Sequence, residues 1–194
     1  MRIIAGRWRA RTIRSPRGTA TRPTTDRVRE AMFSILGDFS GLRVVDLCAG
    51  SGALGIEALS RGASSVCFVD CAAAAVACIR SNLELLGVTD EVFVVRSTVE
   101  RSRTRLLDTG PYDVVLCDPP WRRLETVLRT VSTVLDRPLL RPGARVVIEH
   151  PARNQVILQP ESTFPLVDRR TWGDTGASFF GHSDPLVDAP SGTA

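Results

Sequence analysis

The sequence of 194 residues contains no lysine, so all 25 of its basic side chains are arginine. It is poor in aromatics, with a single tyrosine, and it has only two histidines. No apolar run approaches the ~18 residues that span a bilayer, which argues against a membrane-embedded role. The arginine-rich opening lacks the apolar stretch and small-residue cleavage site of a secretory signal. The five cysteines, Cys48, Cys67, Cys71, Cys78 and Cys117, are odd in number and form no C-x-x-C. That pattern supports neither a disulfide framework nor a thiolate metal site. Reduced, semi-buried thiols in a cytoplasmic chain are expected, with no metal. No segment repeats.

The length suits one domain, able to bury roughly 70% of its unfolded surface. With 43% hydrophobic and 24% charged residues the chain reads as globular. Only residues 184–194, rich in Pro, Ser, Gly and Thr, read as a poorly ordered tail. Charge is unevenly placed. Nine arginines fall in residues 1–30 against two acids, Asp26 and Glu30, and the remainder is net acidic. Guanidinium forks match phosphate oxygens, so this concentration points to nucleic acid. Arg2, Arg7, Arg9, Arg11, Arg14 and Arg22 are the candidate contacts, with Trp8 available for stacking or for docking the segment. Residues 1–21 read as a small hairpin or extended arm, from the short alternations Arg2-Ile3-Ile4-Ala5 and Arg11-Thr12-Ile13 separated by Gly6. The arm holds too few apolar residues to form its own core. It is expected to be a separable phosphate-binding extension, the alternative being a structural strap. Residues 22–183 form the main domain.

Pro23-Thr24-Thr25-Asp26 starts a helix whose apolar face is Val28, Met32, Ile35 and Leu36. Strand and helix patterns then alternate. Strands are expected at Val44–Leu47, Val66–Val69, Val92–Val95, Tyr112–Cys117 and Arg145–Glu149. Helices are expected at Ala53–Ser60, at Ala72–Leu86 closed by Gly87, and along Leu124, Val127, Leu128, Val131, Val134 and Leu135. Such alternation means an α/β fold with a parallel sheet covered on both faces. After Pro151 two further strands, near Phe164–Arg170 and Ala177–Phe180, read as an antiparallel hairpin joined through Trp172-Gly173-Asp174 and closing the sheet.

Between the first strand and its helix, Gly50, Gly52 and Gly55 spell G-x-G-x-x-G. This motif is shared by nicotinamide, flavin and methyl-donor enzymes. The loop Ala49-Gly50-Ser51-Gly52 lets backbone approach a ligand. Asp46, at the strand end ahead of the loop, would repel a pyrophosphate. It would favour the ammonium and sulfonium groups of S-adenosylmethionine instead. Asp70 ends the second strand, where an acid can accept both ribose hydroxyls of an adenosine, with Cys71 beside it. Asp70 can also cap the following helix. Asp118-Pro119-Pro120-Trp121 follows the apolar fourth strand. Ligands of open parallel sheets bind beyond the carboxyl ends of strands, so Asp46, Asp70 and Asp118 can converge on one crevice. An exocyclic base amine is a poor nucleophile. The Asp118 carboxylate and Pro119 carbonyl can accept its two N–H bonds and stabilise the positive charge developing on nitrogen. Consecutive prolines stiffen this backbone, and Trp121 offers a face for an extruded base.

Together these residues resemble the class I S-adenosylmethionine-dependent methyltransferases that act on base amines, and within them the RsmD family of 16S rRNA guanine-N2 methyltransferases. The resemblance is carried by Met1-Arg2-Ile3-Ile4-Ala5-Gly6-Arg7-Trp8, by Arg22-Pro23-Thr24-Thr25-Asp26-Arg27-Val28-Arg29-Glu30, by Asp46–Leu59 and by Asp118–Trp121. It implies a Rossmann-like seven-stranded sheet with a small N-terminal β extension, residues 1–21, that binds RNA. It also implies S-adenosylmethionine as methyl donor and the N2 amine of a guanine in 16S ribosomal RNA as acceptor. The third-strand exit, Arg96-Ser97-Thr98-Val99-Glu100, departs from the pattern by lacking the Asp or Asn that often binds adenine, and Thr98 is the candidate substitute. Three other readings stay open. An adenine-N6 methyltransferase on DNA or RNA would use the same tetrapeptide. A nicotinamide oxidoreductase would leave Asp46 and Asp118–Trp121 without a task. A binding protein that only grips RNA would not need intact motifs.

Overall fold

A computed structural model describes residues 1–16, 25–134, 138–158 and 164–181. Arg22, the 21/22 boundary, Leu135 and the tail after residue 183 lie outside the described residues. Within them, seven strands form one sheet: β1 (Arg43–Leu47), β2 (Ser65–Asp70), β3 (Glu91–Arg96), β4 (Tyr112–Cys117), β5 (Leu140–Pro151), β6 (Leu166–Trp172) and β7 (Thr175–Gly181). Their spatial order is β3-β2-β1-β4-β5-β7-β6. The first five strands in this order run parallel, while β7 is antiparallel to both β5 and β6. This is the Rossmann-like class I arrangement, with the antiparallel hairpin expected from the sequence. The order reverses at β1/β4, so the crevice above those two strand ends is the topological switch point at which such sheets bind ligands.

Among the described residues, five α-helices flank the sheet: α1 (Asp26–Leu36), α2 (Ala53–Ser60), α3 (Ala73–Leu86), α4 (Arg103–Thr109) and α5 (Leu124–Val134). Thr25 caps α1, its hydroxyl accepting from the Val28 N–H at 3.3 Å. Gly87 ends α3 in the left-handed conformation. The strands β1, β2 and β4 are buried on both faces, as near-continuous Val/Leu/Cys runs require in a parallel sheet. One face packs Met32, Phe33, Leu59, Ile79 and Leu86 from α1, α2 and α3. The other packs Leu106, Leu124, Val127 and Val131 from α4 and α5.

The N-terminal arm departs from the expectation of a separable piece. Its hairpin is reduced to one antiparallel bridge, Arg2 with Thr12. Ile3, Trp8 and Ile13, spaced along it, enter the core shared with α1, α2 and α3. Too few apolar residues for a private core are still enough to join a neighbouring one. Polar anchors complete the docking. The buried Glu57 carboxylate accepts the Ile4 and Ala5 N–H groups at 2.8 and 3.0 Å. The Trp8 N–H donates to the Ser60 hydroxyl at 3.1 Å.

Candidate active site

A cleft of about 1120 Å³ opens over the carboxyl ends of β1, β2 and β4. Asp46, Ala49, Gly50, Ser51, Asp70, Cys71, Thr98, Asp118, Pro119, Pro120 and Trp121 all line it. Residues expected on different strands therefore meet in one place.

Gly52 does not line the cleft. It is the N-cap of α2 at φ 80°, and a Cβ there would sit 3.2 Å from Ile79. Gly55 has a different task, since a Cβ would lie 2.3 Å from the Phe68 ring. Its bareness lets α2 lie against β2 and brings the α2 backbone onto Asp46. Cys48, at the start of the loop, holds a left-handed φ of 60° although it is not glycine. Such backbone conformations cluster at ligand-binding turns.

Asp46 is 1% exposed. Its Oδ2 accepts the Gly55 N–H at 2.9 Å, while Oδ1 is buried with no hydrogen-bond partner. Burial, opposed by the Gly55 bond and reinforced by the nearby charges of Asp118 and Asp70, pushes its pKa up to about 8. A buried carboxylate short of one partner is a receptor for a cation. Asp70 binds backbone on both sides, accepting from Gly50 N–H at 2.9 Å and from Ala72 N–H at 2.8 Å. The cap residue of α3 is Ala72 rather than Asp70, although the Asp70 carboxylate does accept that residue's N–H. Each carboxylate oxygen has two lone pairs, so Asp70 keeps acceptor capacity facing the cleft.

The Asp118 N–H reaches the Leu47 carbonyl at 3.4 Å, which ties the tetrapeptide to the end of β1. Pro119 is buried and Pro120 is exposed. Trp121 opens a short 3-10 helix and is 39% exposed. The Arg123 N–H closes this turn on the Pro120 carbonyl at 2.7 Å.

The arm residues divide. Arg2, Arg7, Arg9, Arg11 and Arg14 are exposed. Four of these arginines also hold the arm down: Arg2 pairs with Asp26, Arg7 with Asp90, Arg11 bonds the Leu85 carbonyl and Arg14 the Ser81 hydroxyl. Trp8 is 8% exposed, with the Arg7 guanidinium 4.0 Å over its ring. The expectation that Trp8 could stack on RNA is therefore corrected. Trp8 docks the arm and presents no open face to a base.

Two residues escape a reading of the sequence alone. Asn82, fully buried in α3, exchanges hydrogen bonds with the Arg14 backbone at 2.8 and 3.0 Å. It also donates to the Ser51 carbonyl at 3.0 Å. One side chain thus joins the arm to the glycine loop, a link that helical spacing alone does not reveal. Glu149, 3% exposed near the end of β5, also lines the cleft. The strand-end rule that singles out Asp46, Asp70 and Asp118 applies to it equally.

A model of the family described as "Conserved hypothetical protein 95" matches residues 1–181. Ribosomal RNA small subunit methyltransferase D of Escherichia coli K12 is 34% identical over 156 residues, covering 79% of this chain and 76% of that protein. The Haemophilus influenzae protein of the same name is 31% identical and covers 88% and 89%. Bacillus subtilis YlbH is 38% identical over 186 residues, 93% of this chain and 98% of its own. Among solved structures, E. coli yhhF superposes with a TM-score of 0.76 at 32% identity, over 93% of this chain and 97% of that one. A family model spanning the arm, the glycine loop and the Asp118 tetrapeptide, with full-length relatives on the same fold, shows that this chain belongs to the RsmD family.

Proposed function

We propose that the protein transfers a methyl group from S-adenosylmethionine to the exocyclic N2 amine of a guanine in 16S ribosomal RNA, in the cytoplasm. The observation that carries this reading is the meeting of Asp46, Asp70 and Asp118-Pro119-Pro120-Trp121 around one cleft. The unpartnered Asp46 Oδ1 suits a cationic donor and not a pyrophosphate, which weighs against a nicotinamide cofactor. The names of the relatives place small-subunit rRNA ahead of adenine N6 in DNA or RNA as the acceptor.

S-adenosylmethionine, when bound, supplies an electrophilic methyl group on a sulfonium. Asp46 would hold the cationic end of the donor, Asp70 the ribose hydroxyls, the loop Ala49-Gly50-Ser51 would offer backbone to it, and Thr98 would serve the adenine. The Asp118 carboxylate and the Pro119 carbonyl accept the two amine N–H bonds, orient the nitrogen lone pair and stabilise the charge that grows on it. Preorganised acceptors of this kind do the work without a covalent intermediate. Pro120 fixes the turn, and Trp121 stacks the extruded base. The exposed arginines of the arm, together with Arg22, supply phosphate contacts.

The test is methyl transfer from labelled S-adenosylmethionine to rRNA of cells lacking the gene, followed by nucleoside mass analysis. N2-methylguanosine in small-subunit rRNA is expected. N6-methyladenosine would establish the alternative acceptor, and no transfer to any nucleic acid would refute the reading.

A further inference from the structure

The arginines most conspicuous in the sequence are largely engaged within the molecule, whereas Arg122 and Arg153 are not. Both are exposed and both line the mouth of the cleft. Neither makes a hydrogen bond or an ion pair among the described residues, in contrast to Arg2, Arg7, Arg11 and Arg14. Arg122 follows β4 and Arg153 follows β5, which are hydrogen-bonded neighbours. The supporting backbone is braced in each case. The Arg122 turn is closed by the Arg123-to-Pro120 bond. The loop carrying Arg153 is gripped by the Arg169 guanidinium, which donates to the Ala152 carbonyl at 2.6 Å and the Asn154 carbonyl at 3.0 Å.

We infer that Arg122 and Arg153 form a second RNA contact, a phosphate-binding rim distinct from the N-terminal arm. The inference rests on the function proposed above. A base extruded toward Asp118 brings its own flanking phosphates to the cleft mouth, because base and backbone are joined by one sugar. The carboxylates Asp70 and Asp118 in the cleft would repel those phosphates, so cations are needed at its edge. Unpaired guanidiniums break no ion pair when they bind phosphate, and their planar forks suit its oxygens. The arm then secures RNA remote from the reacting base, while the rim fixes the nucleotide itself.

The experiment compares the full-length protein with its Arg122→Gln/Arg153→Gln double variant. Affinity for unmodified small-subunit rRNA is measured across salt concentration, alongside S-adenosylmethionine affinity and melting temperature. The expected result is weaker RNA binding, with a log–log salt slope shallower by about 0.7–0.9 for each phosphate that is no longer neutralised. Cofactor affinity and melting temperature should match wild type. A wild-type RNA affinity and salt slope in the double variant would overturn the inference, whatever happens to turnover. Failure of the wild-type protein to bind S-adenosylmethionine or to methylate rRNA would instead count against the proposed function. The two failures are therefore distinguishable.

Discussion

Asp118 and Asp46 are both carboxylates at strand ends, but their surroundings give them different tasks. Asp118 is half-buried beside the stiff Pro119-Pro120 backbone, which suits it to the amine-orienting role proposed above. Asp118→Ala is expected to lower single-turnover methyl transfer by about 10²–10³, while calorimetric affinity for S-adenosylmethionine changes by no more than a few-fold. Asp118→Asn, which keeps one acceptor oxygen, should fall between the two. Asp46 is governed by burial. Its carboxyl holds a proton to about pH 8 in the folded protein, against 3.8 for an ordinary aspartate. The folded chain therefore binds more protons than the unfolded chain between those values, and stability of the ligand-free protein falls as pH rises across that window. A cationic ligand favours the ionised form and so expels the proton. Between pH 6 and 7.5, S-adenosylmethionine affinity should rise by up to about tenfold per pH unit. Titrations at pH 7 in buffers of different ionisation heat should read close to one proton released. A flat profile in wild type, or an unchanged slope in Asp46→Asn, would contradict the assignment.

Among the elements, those next to the site are the most legible in the sequence. The bounds of α2 and β4 follow directly from it, because a glycine loop opens the first and an apolar run before Asp118 forms the second. Helix α4 leaves almost no trace. Its seven residues, Arg103–Thr109, offer only Leu106 and Leu107 as apolar signal, and no side chain caps it. Strand β5 is longer than its apolar stretch suggests, since Leu140–Pro151 includes Pro142 and Gly143, and pairing with β7 extends to Pro151. The docking of the arm is illegible for another reason. Ile3, Trp8 and Ile13 recur every five residues, which matches neither the helix nor the strand period, and their anchors Glu57, Ser60 and Asn82 look like ordinary helix positions until tertiary contact is known. The arm is consequently a strap across α1, α2 and α3. Trp8→Ala should destabilise the protein by about 3–5 kcal/mol, as deletion of a buried tryptophan does, and thermal or urea unfolding would register it. A melting temperature equal to wild type would mean that the arm is not packed as described.

At the scale of the whole molecule, the sign of the charge changes between the inside of the cleft and its mouth. Asp46, Asp70, Asp118 and Glu149 line the cleft, with the exposed Arg122 and Arg153 at its mouth, although the net charge of the chain is only +4. Contacts with phosphate release counterions and are salt-sensitive, whereas a cation enclosed against Asp46 is screened far less. Raising salt from about 50 to 200 mM should therefore depress RNA affinity by orders of magnitude, while S-adenosylmethionine affinity, measured by calorimetry in the same buffers, stays within a few-fold. Equal salt dependence of the two ligands would remove this separation. The strand order carries one more implication. β7, the latest in sequence of the described strands, lies inside the sheet between β5 and β6 rather than at its border. During synthesis, β5 can pair with β4 on one side, but its other edge stays open until Thr175–Gly181 has left the ribosomal tunnel. A nascent chain halted before that point exposes an unpaired edge and lacks a finished cleft wall. The wall of the cleft that carries Glu149 is thus complete only once β7 has been made and has inserted between β5 and β6.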